Sequence, residues 1–241
     1  FRLFIGEKPI LLQTIEDLST EVTEDELNEA FIDEWGVKYS KDGRKLLKAP
    51  QGLKGKYSVK VGTRIISAHA FWNCSFLSNI VIPNSVANIG DGAFRGCCFL
   101  NKVVIPDSVI TIRIDAFHGC RSLSSVVIPD SVTSIGFGTF NGCSSLSSVV
   151  IPNSVTSIGI SSFEGCSSLV SVVIPDSVTS IGACAFQNCS SLSNIVFPDS
   201  VTSIGEGAFA NCNIPYYLKQ ELISRFGDEL FRLSLPIILT I

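Results

Sequence analysis

A 23-residue pattern recurs seven times along this chain, and it constrains the fold more than any other feature. Ser124–Leu146 reads SSVVIPDSVTSIGFGTFNGCSSL, and Ser147–Leu169 reads SSVVIPNSVTSIGISSFEGCSSL. Phenylalanine keeps step at Phe71, Phe94, Phe117, Phe140, Phe163, Phe186 and Phe209, with cysteine three places later from Cys74 to Cys212. Leucine does so from Leu77 to Leu192, and proline from Pro83 to Pro198. Columns that stay in register over so many copies specify an array of stacked units.

One unit can be read residue by residue. Leu146, Val149 and Ile151 form L-x-x-V-x-I, so Val149 and Ile151 share one face of a short strand. Pro152 lacks an N–H and suits the strand end. Asn153 and Ser154 are turn formers. Val155 and Ile158 make a second inward pair before Gly159 permits a bend. Phe163 and Cys166 stand three apart, which predicts a helical or 3-10 turn on the outer side. Seven apolar side chains per coil then point at one axis. A lone coil would leave both flanks of that layer open, so burial would not offset the entropy of ordering it. Stacking covers the flanks and pairs strands at about 4.8 Å. The expectation is a curved, parallel-stranded solenoid with its main sheet on the concave side.

The run V-V-I-P-D-S-V-T-S-I-G-x-x-x-F-x-G-C-S-S-L resembles the BspA-like leucine-rich repeat family of bacterial surface-type proteins, over Tyr57 to Cys212. The resemblance implies an α/β repeat fold. Its form would be a right-handed leucine-rich-repeat solenoid with a parallel β-sheet on the concave side and short helical or 3-10 turns on the convex side. It further implies a cell-surface or secreted, non-catalytic protein that binds host matrix proteins or other cells. No binding residue of the family carries over by position.

Three parts are expected. Residues 1–56 form an N-terminal cap: a short strand and loop over Phe1–Leu12, a helix over Glu24–Trp35, and a β-hairpin. The helix is signalled by the capping box Thr23–Glu26 and by Leu27, Ala30, Phe31 and Trp35. Val37–Ser40 and Lys45–Lys48 flank Asp42-Gly43, a hairpin signal, and the family resemblance also implies a hairpin there. Residues 57–212 hold the seven repeats. The first is degenerate, with Tyr57, Val59, Thr63 and Ser67 in place of the usual residues. Residues 213–241 form a C-terminal cap: a helix with Asn213 as N-cap, an apolar stripe of Leu218, Leu222, Ile223 and Phe226, a stop at Gly227, then an apolar extended tail. Lys41, Arg44, Lys45, Lys48, Lys54, Lys56 and Lys60 make the N-terminal region basic, as a solvated face or as a docking patch.

Composition limits the function. A net charge of −4 argues against nucleic acid. No apolar run reaches the length of a bilayer span, and Pro236–Ile241 is far too short for an anchor. The first residue is Phe1 rather than Met, which leaves room for a processed export signal or a trimmed chain. No P-loop, dinucleotide fingerprint or zinc motif is present, and no cofactor is expected. The histidines are His69 and His118. His118 follows Asp115 by three, a pairing that a serine-rich repeat produces by composition. Seven of the nine cysteines share one column and read as a reduced, buried ladder, with Cys98 and Cys184 off it and more exposed. Asp107, Asp130, Asp176 and Asp199 stack in another column with Asn84 and Asn153. Calcium takes several oxygen ligands, to which the serine after each would add a hydroxyl, but asparagine in two copies serves a turn equally well. The expected role is a turn whose carboxylate bonds nearby backbone N–H groups.

Two columns are candidate binding faces. On the concave sheet, alternation sends Val81, Val104, Val127, Val150, Val173 and Val196 outward, flanked by Asn79, Lys102, Ser125, Ser148, Ser171 and Asn194. On the convex side the residue after each phenylalanine differs in every copy: Trp72, Arg95, His118, Asn141, Glu164, Gln187 and Ala210. That variation reads either as drift at a solvent-exposed place or as a source of specificity. The expected function is a non-enzymatic protein-protein interaction or adhesion module. The alternatives are a carbohydrate-binding surface and a passive spacer.

Overall fold

Each repeat closes one coil, and the computed structural model describes residues 19–233. Three segments of a coil bond to the coil beside it. The first is the concave strand, from Gly55–Ser58 and Leu77–Val81 through Lys102–Val104, Ser125–Val127, Ser148–Val150 and Ser171–Val173 to Asn194–Val196. Pairing is parallel and one repeat apart, so Val127 faces Val150 and Val173 faces Val196, and the bonded strands fall into three sheets, Gly55–Ser58 through Lys102–Val104, Ser125–Val127 with Ser148–Val150, and Ser171–Val173 with Asn194–Val196. The second is a ladder of two-residue strands, among them Asn88–Ile89, Ser157–Ile158 and Ser203–Ile204. The sequence pattern predicts an inward pair here, and the structure adds this second sheet.

The third segment is the convex turn. Trp72 and Cys74 donate to the carbonyls of His69 and Phe71, each at 3.0 Å, which is the i→i+3 pattern of a 3-10 turn. The alternate N–H groups of His69, Phe71 and Asn73 reach Asp91, Ala93 and Arg95 of the next coil at 2.8, 2.7 and 2.8 Å. Every convex turn is thus also an inter-coil ladder. Left-handed backbone makes the alternation possible, so glycine or asparagine recurs there, as at Gly165 (φ 71°) and Asn188 (φ 61°).

The seven side chains assigned inward in one coil, Leu146, Val149, Ile151, Val155, Ile158, Phe163 and Cys166, are all buried. From Phe71 to Phe209 the rings stack face to face, with centroids 5.1–5.5 Å apart and planes within 13°. Aromatic residues finish the column. At one end Tyr57 packs on Phe71 at 5.9 Å, and its hydroxyl meets Tyr39 Oη and donates to Asp33, each at 2.6 Å. At the other end Phe231 lies 6.4 Å from Phe209. Two hydroxyl ladders reinforce the stack. The serine of each Pro-Asx-Ser turn, from Ser85 to Ser200, donates to a carbonyl of the preceding coil at 2.5–2.9 Å. Thr156, Thr179 and Thr202 do likewise at 3.2–3.4 Å.

One position limits how closely coils approach. A Cβ on Gly159, Gly182 or Gly205 would lie 2.3–2.6 Å from backbone atoms of the coil before it. The coil after Gly90 carries Arg113 at this position. The second ladder breaks just beyond it: Thr111–Ile112 ends one sheet and Ser134–Ile135 begins another. A Cβ on Gly136 would meet nothing closer than 3.5 Å, and Phe117–Phe140 across the same gap is the widest ring spacing at 5.5 Å.

The ends differ from expectation in instructive ways. Helix α1 spans only Glu24–Asn28, with the predicted capping box present. It does not run on to Trp35, because Asp33 Oδ1 accepts the N–H groups of Trp35 and Val37 at 3.0 and 2.9 Å and turns the chain. Phe31–Ile32 therefore pairs antiparallel with Lys38–Tyr39, and Phe31 stacks on Tyr39 at 5.3 Å. The predicted hairpin forms between Lys38–Tyr39 and Lys45–Lys48. Its second strand pairs in parallel with Ile65–Ile66, so it extends the second ladder rather than the concave sheet. Lys45 is buried and pairs with Glu26 at 2.9 Å, so it does not belong to a solvated basic face.

At the other end helix α2 spans Tyr216–Phe226 and buries Leu218 and Leu222. Its N-cap is Pro215 with no side-chain cap, not Asn213, while Gly227 closes it as expected. In place of an extended segment, Glu229–Phe231 forms a 3-10 turn. The carbonyls of Glu229 and Leu230 accept from Gly207 and Phe209, both at 2.9 Å, and so stand in for a further coil. The strand expected over Phe1–Leu12 and the apolar tail over Pro236–Ile241 lie outside the described residues.

The spacing argument has a direct test. Gly182→Ala should lower stability in urea by about 1–3 kcal/mol, because the new methyl meets backbone. Gly136→Ala meets ordinary van der Waals distances and should cost a fraction of that. Equal losses at the two sites would refute the close-approach assignment.

Candidate binding faces

The concave strands alternate inward and outward along their length, and that alternation builds the first face. In the strand Leu77–Val81, Ile80 is buried while Val81 beside it faces out. The same pattern repeats through Val196. The six outward valines are between 42% and 64% exposed and recur at the same place in successive coils, two in each of three bonded sheets. At strand-pairing distance they make a stripe about 25 Å long. Lys102, Ser125, Ser148, Ser171 and Asn194 flank it and are exposed, and Asn79 is half-buried.

The convex column is different from a row of free side chains. Trp72 is exposed at 47%. Arg95, His118, Asn141 and Glu164 are half-buried, Gln187 is 7% exposed and Ala210 is buried. Stacked turns bury what lies between them, and several members are spent on neighbours. Arg95 Nη1 pairs with Asp115 Oδ2 at 2.6 Å. Asn141 Nδ2 donates to Glu164 at 3.2 Å. His118 Nδ1 lies 3.4 Å from the other Asp115 oxygen without hydrogen-bond geometry. Arg113 binds Asp91 at 3.1 Å across the same pair of coils. The Asp115–His118 pairing thus belongs to a cluster that ties two coils together.

A third exposed feature has no counterpart in the expectations. Phe76 and Phe99 are 61% and 58% exposed, stacked at 6.3 Å with planes 10° apart. They occupy the column that is Ser122, Ser145, Ser168 and Ser191 elsewhere. That departure from the repeat was the signal available in the sequence.

The aspartate column departs from its expected role. Asp107, Asp130, Asp176 and Asp199 are exposed. Asp107, Asp130 and Asp176 make no hydrogen bond or ion pair among the described residues, and the neighbouring serine holds the turn instead. No group of three or more His, Cys, Asp or Glu able to hold a metal ion occurs among the described residues.

None of the nine cysteines is in a disulfide. Those of the column from Cys97 onward point Sγ at the phenylalanine carbonyl of the preceding coil, at 3.0–3.3 Å. Burial pushes the Cys143 and Cys212 thiols up to about 12 and Cys74 up to about 11. It raises Cys97, Cys120, Cys166 and Cys189 well above the usual thiol value. Cys184 is 4% exposed, against expectation. It lies at a left-handed convex position (φ 55°) under the next coil, where its neighbours in the column are His69, Gly92, Asp115, Gly138, Ser161 and Gly207. Cys98 is half-buried.

This geometry defines a leucine-rich-repeat solenoid, a class built to present long surfaces. The chain belongs to the BspA type leucine rich repeat region family, which matches it in six copies over residues 64–173 and 156–237. It is similar to the leucine-rich repeat protein of T. pallidum, at 30% identity and a TM-score of 0.70, covering 81% of this chain and 91% of that one. A leucine-rich repeat protein from Eubacterium ventriosum is also 30% identical, with a TM-score of 0.72 over 79% of this chain, which spans 52% of the other. A leucine rich cell surface protein from Faecalibacterium prausnitzii is 26% identical, with a TM-score of 0.51 over 75% of this chain and 63% of that one. A search of curated protein sequences finds no match. The fold is that of a protein-interaction module. Among the described residues no helix is long and apolar enough to cross a membrane.

Thiol labelling tests the cysteine geometry. Native protein at neutral pH should give one rapidly reacting thiol, Cys98, with Cys184 as slow as the column. Fast labelling of several column cysteines would contradict the buried ladder.

Proposed function

We propose that this chain is a non-catalytic adhesion or protein-interaction module of a cell surface, binding through the concave valine stripe. Residues 1–56 and 213–241 serve as its end caps. The observation that carries the reading is the row of six exposed valines, one on each of six successive stacked coils. Isolated surface valines follow from strand propensity, but a continuous apolar stripe is the kind of surface that marks an interaction site. A surface location is supported by the Faecalibacterium neighbour, described as a cell surface protein. The non-catalytic reading is supported by the engagement of Asp115 with Arg95 beside His118. The convex column is a secondary candidate, centred on Trp72, its most exposed member.

The exposed Phe76–Phe99 stack favours one second reading, carbohydrate binding, since flat aromatic faces suit sugar rings. A glycan array with the parent and a Phe76→Ala/Phe99→Ala variant separates it from the first.

The valine reading is tested with Val127→Thr and Val150→Thr combined, which keeps β-branching and size. Melting should be unchanged. Affinity for whichever member of a panel of purified extracellular-matrix proteins binds the parent should fall roughly tenfold, the loss of about 1.4 kcal/mol of apolar contact. Unchanged binding would remove the stripe from the account.

A further inference from the structure

The aspartates of the Pro-Asp-Ser turns are not needed by the turns they sit in. Ser108, Ser131, Ser177 and Ser200 make the bond to the preceding coil. Asn84 and Asn153 occupy the same position in two other coils, where Ser85 and Ser154 make the same bond. The fold thus accepts an uncharged residue there, yet four coils carry a carboxylate. Stacking sets Asp107 beside Asp130 and Asp176 beside Asp199, and like charges on neighbouring strands repel.

These carboxylates stand three residues beyond Val104, Val127, Val173 and Val196, at the strand ends of the concave face. Three extended residues span about 10 Å at most, so one partner segment can touch both rows. At the end of the column the Arg225 guanidinium of α2 lies between two carboxylates, 3.8 Å from Glu221 of its own helix and 3.9 Å from Asp199. Lys56 and Lys102 lie on the other flank of the stripe, both in register with Asn79.

We propose that the concave face takes a protein segment whose apolar side chains seat on the valine stripe while its lysine or arginine residues meet the aspartate rim. This rests on the valine reading above and adds the charge of the partner. Apolar contact gives the segment its hold, and the rim gives orientation, encounter rate and salt dependence.

Three synthetic peptides of about a dozen residues serve as probes in a fluorescence-anisotropy titration: valine alternating with lysine, valine alternating with glutamate, and serine alternating with lysine. The valine–lysine peptide should bind the full chain about tenfold or more tighter than either other peptide, and should weaken as sodium chloride is added. Asp107→Asn, Asp130→Asn and Asp176→Asn combined should cut that affinity about tenfold and flatten its salt dependence. Melting should not change, because asparagine already occurs in the column. If the valine–glutamate peptide binds as well as the valine–lysine one, or the triple variant binds unchanged, the rim has no part in recognition. The valine reading survives that result if Val127→Thr/Val150→Thr still weakens binding. If the serine–lysine peptide binds as well as the valine–lysine one, the proposal falls because charge alone suffices. Failure of all three peptides to bind overturns it together with the stripe.

Discussion

The backbone of one coil touches the backbone of the next at Gly159, Gly182 and Gly205, and this contact sets the spacing on which the other layers depend. At that spacing two strand ladders and a convex turn can all bond between coils. Phenylalanine rings fall into face-to-face stacks, and serine hydroxyls reach carbonyls one coil back. Parallel rings with centroids 5.1–5.5 Å apart are offset stacks, one of the arrangements that paired rings prefer, so the repeat spacing and ring packing agree.

Stacked architectures must also end. Here both ends borrow the repeat's own bonding. The hairpin strand Lys45–Lys48 supplies a parallel neighbour to Ile65–Ile66, and the 3-10 turn Glu229–Phe231 supplies carbonyls to the last convex turn. Neither end covers everything. The concave strand Gly55–Ser58 has a single strand neighbour among the described residues. Lys54, Lys56 and Lys60 cluster there, the kind of charge that discourages edge-to-edge association.

Much of this fold is legible in the sequence because a repeat multiplies each weak signal. One Val149–Ile151 pair says little, but the same pair in successive coils establishes an inward face, and with it the outward valines. The convex bonding is not legible, since it is made by backbone atoms and leaves only a glycine-or-asparagine column as its trace. Residues that act once are the least legible. Asp33 turns a helical-looking stripe into a strand, and nothing in the local periodicity announces it. Cys184 looks exposed because it stands off the cysteine column, whereas its burial follows from the coil laid over it. The aspartate column beside the valines looks like turn chemistry until the adjacent serine is recognised as the donor that holds the turn.

The central claim is that coils hold one another through three bonded ladders, the convex turn included. Native-state hydrogen exchange resolved by residue tests this most directly. The account predicts that the N–H groups of Phe117, Phe140 and Phe163, which bond to the next coil, exchange as slowly as those of the inward residues Ile80, Val126 and Val172, whose strands pair with the coil after them. It also predicts that protection falls toward the first and last coils. Convex amides that exchange at the rate of open turns, beside fully protected strands, would contradict it.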